Sequence, residues 1–181
     1  MRHTSALTII ELVVVMMIIL ILAGLVLGVS SYVQNKGARA RAETEIAALS
    51  AALESYKADN GIYPQSAVTN SLNPTTSDPA SYKNASQYLY TQLSGDFDAN
   101  PTTTSPSDTR NYMGGSLKQS MLGPNPPGAS TYMRDPFGNS YGYSTAKAAN
   151  PSAGIGNNPT FDLWSTANDP SGTAAKWVKN W

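Results

Sequence analysis

The sequence predicts an α+β subunit in which one long N-terminal helix packs on a small antiparallel sheet with irregular loops. Three observations carry that prediction. Eighteen consecutive residues, Leu12 to Val29, contain no charge and no hydrogen-bonding side chain. A proline-free stretch from Ser30 to Asn60 continues the run with helical periodicity. Two short alternating segments, Ser140–Ser144 and Thr160–Ser165, read as strands near the C-terminal end.

The apolar run comes first. At about 1.5 Å per residue it spans ~27 Å, enough to cross the hydrocarbon of a bilayer. A helix buried in a soluble core carries a polar stripe, and this one has none. The run from Leu12 to Val29 is therefore expected to lie in a membrane. Arg2 and His3 precede the run and favour a cytoplasmic N-terminus, while Lys36, Arg39 and Arg41 beyond it weigh the other way. A cleaved secretory signal would have a shorter apolar region followed at once by a small-residue site. Here the nearest Ala-x-Ala, Ala38-Arg39-Ala40, lies far past the run on continuing helix. Gly24 and Gly28 hold a spacing that permits close helix approach, or are simply scattered glycines of a membrane helix. Glu11 is the odd residue, because a carboxylate at that depth costs roughly 2.5–3.5 kcal/mol on insertion scales. It needs either the headgroup boundary or a partner.

Beyond Val29, Ala42, Ile46, Leu49, Leu53 and Tyr56 recur at three- and four-residue steps and mark one apolar face. Arg41/Glu45 and Glu54/Lys57 are spaced for pairing on the remaining surface. Asp59-Asn60-Gly61 should stop the helix, Gly61 suiting a left-handed cap, and Ile62-Tyr63-Pro64 should turn the chain back over it. Residues 66–133 are rich in Ser, Thr, Asn, Pro and Gly, which predicts loops with one short helix at Ser86–Leu93. Asp135-Pro136-Phe137-Gly138-Asn139 then reads as a turn leading into the first strand. Two strands cannot stand alone, so the sheet should lie on the helix face of Ile46, Leu49 and Leu53, with Tyr141 and Tyr143 as core.

Composition narrows the function. Twelve basic residues balance twelve acidic ones and no basic stripe stands out, so nucleic-acid binding is not expected. There is no cysteine, and the single histidine is His3. Disulfides, thiolate chemistry and imidazole catalysis are thereby excluded, and Asp96, Asp98, Asp108 and Asp135 read as loop and turn residues. No enzyme is expected.

Ser5-Ala6-Leu7-Thr8-Ile9-Ile10-Glu11-Leu12-Val13-Val14-Val15 resembles the type IV prepilin signature, a short polar leader followed by an apolar helix. The resemblance implies a pilin-like fold, cutting by a prepilin peptidase between Ala6 and Leu7, and methylation of the new N-terminus. Glu11 becomes the fifth mature residue. Ala6 stands where that family prefers glycine. Once cut, the α-amine of Leu7 and the carboxylate of Glu11 can neutralise each other between packed subunits, which also fixes register.

Tyr56-Lys57-Ala58-Asp59-Asn60-Gly61-Ile62-Tyr63-Pro64, the Asp135–Asn139 turn and Phe161-Asp162-Leu163-Trp164-Ser165 look like the major pseudopilin of type II secretion systems. Many type IV pilins close their C-terminal region with a disulfide, so the absence of cysteine favours the pseudopilin. This resemblance divides the chain into a leader (1–6), a membrane and filament-core helix (7–30), an amphipathic helix (31–61) and a globular periplasmic region (62–181). Within the last, 66–133 are variable loops outside the resemblance, and 134–181 a β-hairpin with a C-terminal loop. It implies a single-pass inner-membrane protein that self-assembles with other pseudopilins on an inner-membrane platform and drives export across the outer membrane. A separate cytoplasmic ATPase would supply the energy, because the chain has no phosphate-binding glycine loop of its own. The same signature also fits a type IV pilin or minor pilin in adhesion, motility or DNA uptake. The resemblance further implies calcium in the C-terminal loop, held by the Leu163 carbonyl, Ser165 and Asp169. Ala167 stands there at a usual glycine and Trp177 near a usual aspartate. Trp181 is expected to anchor the tail.

Overall fold

The computed structural model describes residues 8–169 and 171–181. Helix α1 runs without interruption over Ile9–Asn60. It stops as its last residues dictate: Gly61 takes φ +81°, and its N–H returns to the Lys57 carbonyl at 2.7 Å. Compactness divides the chain between Gly37 and Ala38, inside α1. In the first unit the side chains from Ile9 to Leu25 are all exposed. A soluble core helix would be buried, whereas this one is long and apolar enough to cross a membrane and none of its apolar window is covered.

In the second unit α1 buries Ala42, Ile46, Leu49, Ala52 and Leu53. Four of these are positions its periodicity marks; Ala52 joins them, and Tyr56, the fifth expected position, is only partly buried against the core. Each fully buried leucine contributes about 1.5–3 kcal/mol. The same cluster holds Leu89, Leu93, Met133, Tyr141, Tyr143, Phe161 and Leu163. The polar side chains of α1 settle differently from their simple spacing. Glu54 accepts the Tyr63 hydroxyl at 2.8 Å, and Lys57 lies over the Tyr63 ring, so this pair meets through the tyrosine.

The 66–133 stretch is more ordered than its composition suggests. It holds α2 (Ala67–Ser71), α3 (Lys83–Ser94) and a two-stranded ribbon of β1 (Leu122–Gly123) and β2 (Tyr132–Met133). Its small polar residues act as caps: Ser66 and Thr69 close a reciprocal capping box on α2. Helix α3 exceeds the expected Ser86–Leu93 at both ends and packs directly on β2 and on the next strand, β3 (Gly142–Ser144). The composition predicted loops because short strands and caps use the same Ser, Thr and Gly that mark turns.

The expected hairpin is a three-stranded antiparallel sheet, ordered β3, β4 (Asp162–Ser165), β5 (Val178–Lys179). Helix α4 (Ala146–Ala149) lies between β3 and β4 in the chain, so their connection is not a tight turn. Tyr143 stands opposite Leu163, Gly142 opposite Trp164, and Trp164 opposite Lys179. Strand β5 is too short, and its Lys179 too polar, to show as an alternating pattern. Gly142 is glycine for a reason of space, since a Cβ there would lie 2.0 Å from the Trp164 indole. Gly142→Ala should therefore cost about 1–3 kcal/mol of stability. The check is the midpoint of a circular-dichroism melt of the full chain in detergent micelles, and an unshifted midpoint would mean the indole does not sit on this strand.

Candidate functional site

Two places carry the sequence-derived functional residues: the start of α1 and the C-terminal loop. Ala6 and Leu7 lie outside the described residues. Glu11 is in the first turn of α1. Its carboxylate accepts the Thr8 N–H and the Thr8 hydroxyl, each at 2.8 Å, while the Glu11 N–H donates back to the Thr8 hydroxyl at 3.3 Å. This is a reciprocal capping box, which satisfies two orphan groups of a helix start. Thr8 is the residue that sequence reading passed over. Its signal was present, as Thr8-Ile9-Ile10-Glu11 immediately before an apolar run has the Ser/Thr-x-x-Glu spacing of such a box. In the single chain Glu11 thus already has a local partner.

The C-terminal loop is held by a network centred elsewhere than on its expected ligands. The Leu163 carbonyl accepts the Asn180 N–H at 3.2 Å, and the Leu163 N–H reaches the Asn180 side chain at 2.9 Å. The Ser165 hydroxyl is fully buried, donates to Asp135 Oδ2 at 2.5 Å and accepts the Ala167 N–H at 3.0 Å. Asp169 Oδ1 takes the N–H and hydroxyl of Ser171, and the Lys176 ammonium stands 3.5 Å from Oδ2. Hydrogen bonding from Ser171 foremost holds the Asp169 carboxyl below its ordinary range.

Calcium needs six to eight oxygens around one point. Here the Leu163 carbonyl accepts the Asn180 N–H, the Ser165 hydroxyl is turned to Asp135, and the Asp169 carboxylate meets a lysine ammonium. The three do not fit a calcium cage as they stand. Accordingly, the melting midpoint of the full chain should be the same with calcium and with a chelator. A calcium-dependent rise would show that the loop rearranges into a cage on binding.

Three residues that sequence reading did not assign hold the loop. Arg39 of α1 donates to the Lys176 carbonyl at 2.5 Å and the Trp177 carbonyl at 3.2 Å. The Trp177 indole N–H donates to the Asp169 carbonyl at 3.3 Å. Asp135 ties the turn to β4: its Oδ1 accepts the Phe137 and Asn139 N–H groups at 3.0 and 2.8 Å, its Oδ2 the Ser165 hydroxyl. Burial raises its carboxyl above the ordinary range, outweighing the hydrogen bonds that lower it. The Asp-Pro turn was legible, but the reach of its carboxylate to a serine thirty residues on had no local signal.

The loop carboxylates Asp96, Asp98 and Asp108 have oxygens within 4.8 Å of one another. They are engaged locally: Asp96 accepts the Tyr90 hydroxyl, Asp98 the Thr103 hydroxyl and Asp108 the Ser105 N–H.

Residues 31–112 match the family model described as type II secretion system protein G. The matched region starts after the apolar run and its Glu11. It includes the Tyr56–Pro64 block and continues through α3 to residue 112, into the 66–133 stretch expected to lie outside the resemblance, while the Asp135 and Phe161 blocks lie beyond it. No curated protein and no solved structure matches the chain. The match covers a little under half of the chain, and its likeness is to a protein of the type II secretion system.

Proposed function

We propose that this chain is a major pseudopilin, polymerising through the apolar half of α1 into a filament that drives protein export across the outer membrane. The match of residues 31–112 to the protein G family carries the reading. The exposed apolar helix that runs directly into the matched region supports it. In this reading residues 7–30 anchor the monomer in the inner membrane, with the N-terminus cytoplasmic and the second unit periplasmic. A prepilin peptidase cuts between Ala6 and Leu7 and the new amine is methylated. Glu11 then exchanges its cap for the Leu7 amine of a neighbouring subunit, which neutralises two charges in a low-dielectric filament core. Other pseudopilins and an inner-membrane platform complete the assembly.

The intact mass of the protein from native membranes tests the first step. Loss of residues 1–6 and one added methyl on Leu7 are expected. A chain that retains Arg2, or begins after Gly24, overturns the processing. Deleting the gene tests the destination: secretion of exoproteins should stop. Intact secretion with lost twitching, adhesion or DNA uptake would assign the chain to the pilins instead.

A further inference from the structure

Helix α1, the turn at Gln119–Met121 and the Asp135–Asn139 turn enclose a cleft of about 340 Å³, with Arg41, Glu45, Ser120, Arg134, Asp135 and Phe137 among its walls. Among the described residues the buried Nε–H of Arg134 has no acceptor, and its Nη2 reaches only the Ser120 carbonyl, at 3.4 Å. A buried donor left without an acceptor is destabilising, since it has lost water and gained no partner. Neither carboxylate in the wall relieves it. Both oxygens of Asp135 are taken by Phe137, Asn139 and Ser165, and Glu45 accepts the Tyr141 hydroxyl at 2.8 Å.

Nε and Nη2 form one edge of a guanidinium, two parallel donors whose spacing matches both oxygens of a carboxylate. We propose that this cleft receives a carboxylate, bound side-on by that edge of Arg134. A phosphate dianion is the poorer fit, because Glu45 and Asp135 repel a second negative charge. The carboxylate comes from an acidic side chain of a second copy of this chain or from a small acid in solution.

Nitrogen-15 NMR of the full chain in detergent micelles tests this, with acetate titrated against chloride at matched ionic strength. The Arg134 Nε–H and the Phe137 and Gly138 amides should shift saturably with acetate, with half-saturation on the order of millimolar, and not with chloride. Arg134→Lys keeps the charge without the fork and should weaken acetate binding at least about tenfold. Glu45→Gln removes a like charge from the wall and should tighten it about fivefold. If a second copy supplies the acid, the same signals move as protein concentration rises and acetate reverses the movement. If the acid is a solute, they are indifferent to protein concentration. Signals that respond to neither acetate nor protein concentration overturn the proposal, as does undiminished acetate binding by Arg134→Lys.

Discussion

Glu11→Leu should leave the chain in the membrane and abolish its filaments. Removing a carboxylate from the end of the apolar run lowers the cost of insertion, so membrane fractions should hold at least as much protein. Assembly is where the loss falls. In the proposed packing, each Leu7 ammonium would be buried without its counter-charge, a penalty of about 3–5 kcal/mol per subunit contact. That corresponds to a drop of more than about a hundredfold in the constant for adding one subunit. Secretion should fall with it. The cap at Thr8 makes a control available, because its hydroxyl and N–H both bond the Glu11 carboxylate. Thr8→Ala loosens the helix start by about 1 kcal/mol but keeps the carboxylate. It should still assemble. If Glu11→Leu forms filaments as abundantly as the unsubstituted chain, the charge-pairing account is wrong, and if Thr8→Ala fails equally, capping is what assembly needs.

Asp135→Ala is the second large effect, on stability. One substitution strands three donors, the Phe137 and Asn139 N–H groups and the Ser165 hydroxyl, of which the last is fully buried. The expected cost is about 3–5 kcal/mol, a fall in melting midpoint of roughly 10 °C for a domain of this size. Asp135→Asn keeps an acceptor for the turn and should cost much less. The two variants also separate in their pH dependence. Because burial raises the Asp135 carboxyl in the folded chain, the folded state binds its proton more readily than the unfolded state does. The stability linked to that proton is present below the unfolded carboxylate range and is lost as pH rises through the raised folded value. Asp135→Asn removes the proton from the account and should flatten that part of the curve, measured as urea midpoints across acidic pH. A curve that keeps its slope would assign the titration to another carboxyl.

What was legible in the sequence is what local spacing determines. The apolar run and the buried face of Ala42, Ile46, Leu49 and Leu53 follow from helical periodicity, and the stop at Gly61 from the left-handed preference of glycine. Tyr141 and Tyr143 alternate visibly with Gly142, and both are buried. What could not be read joins distant residues. Arg39 reaches the Lys176 carbonyl across 137 positions and Asp135 reaches Ser165 across 30, with no pattern in between to announce either. Leu163, Ser165 and Asp169 could be aligned to a ligand pattern. Their actual partners, Asn180, Asp135 and Lys176, depend on how β5 closes the sheet, and two paired residues leave almost no sequence trace.

The tail has an optical consequence. Trp164, Trp177 and Trp181 are all of the chain's tryptophans, and they gather with Tyr82 in a cluster apart from the main core. The Trp164 ring meets Tyr82 edge-on at 5.3 Å and Trp181 at 6.1 Å. Since α1 contains no tryptophan, indole emission is blind to the membrane helix and reads β4 and the tail that covers it. Lifting Trp177 and Trp181 off β4 would expose the indoles to water and shift their emission to the red while the helical signal of α1 stays constant. Light emitted at those wavelengths therefore follows, in a bilayer reconstituted with this protein and without any attached dye, whether the tail stays shut as one monomer becomes part of a polymer.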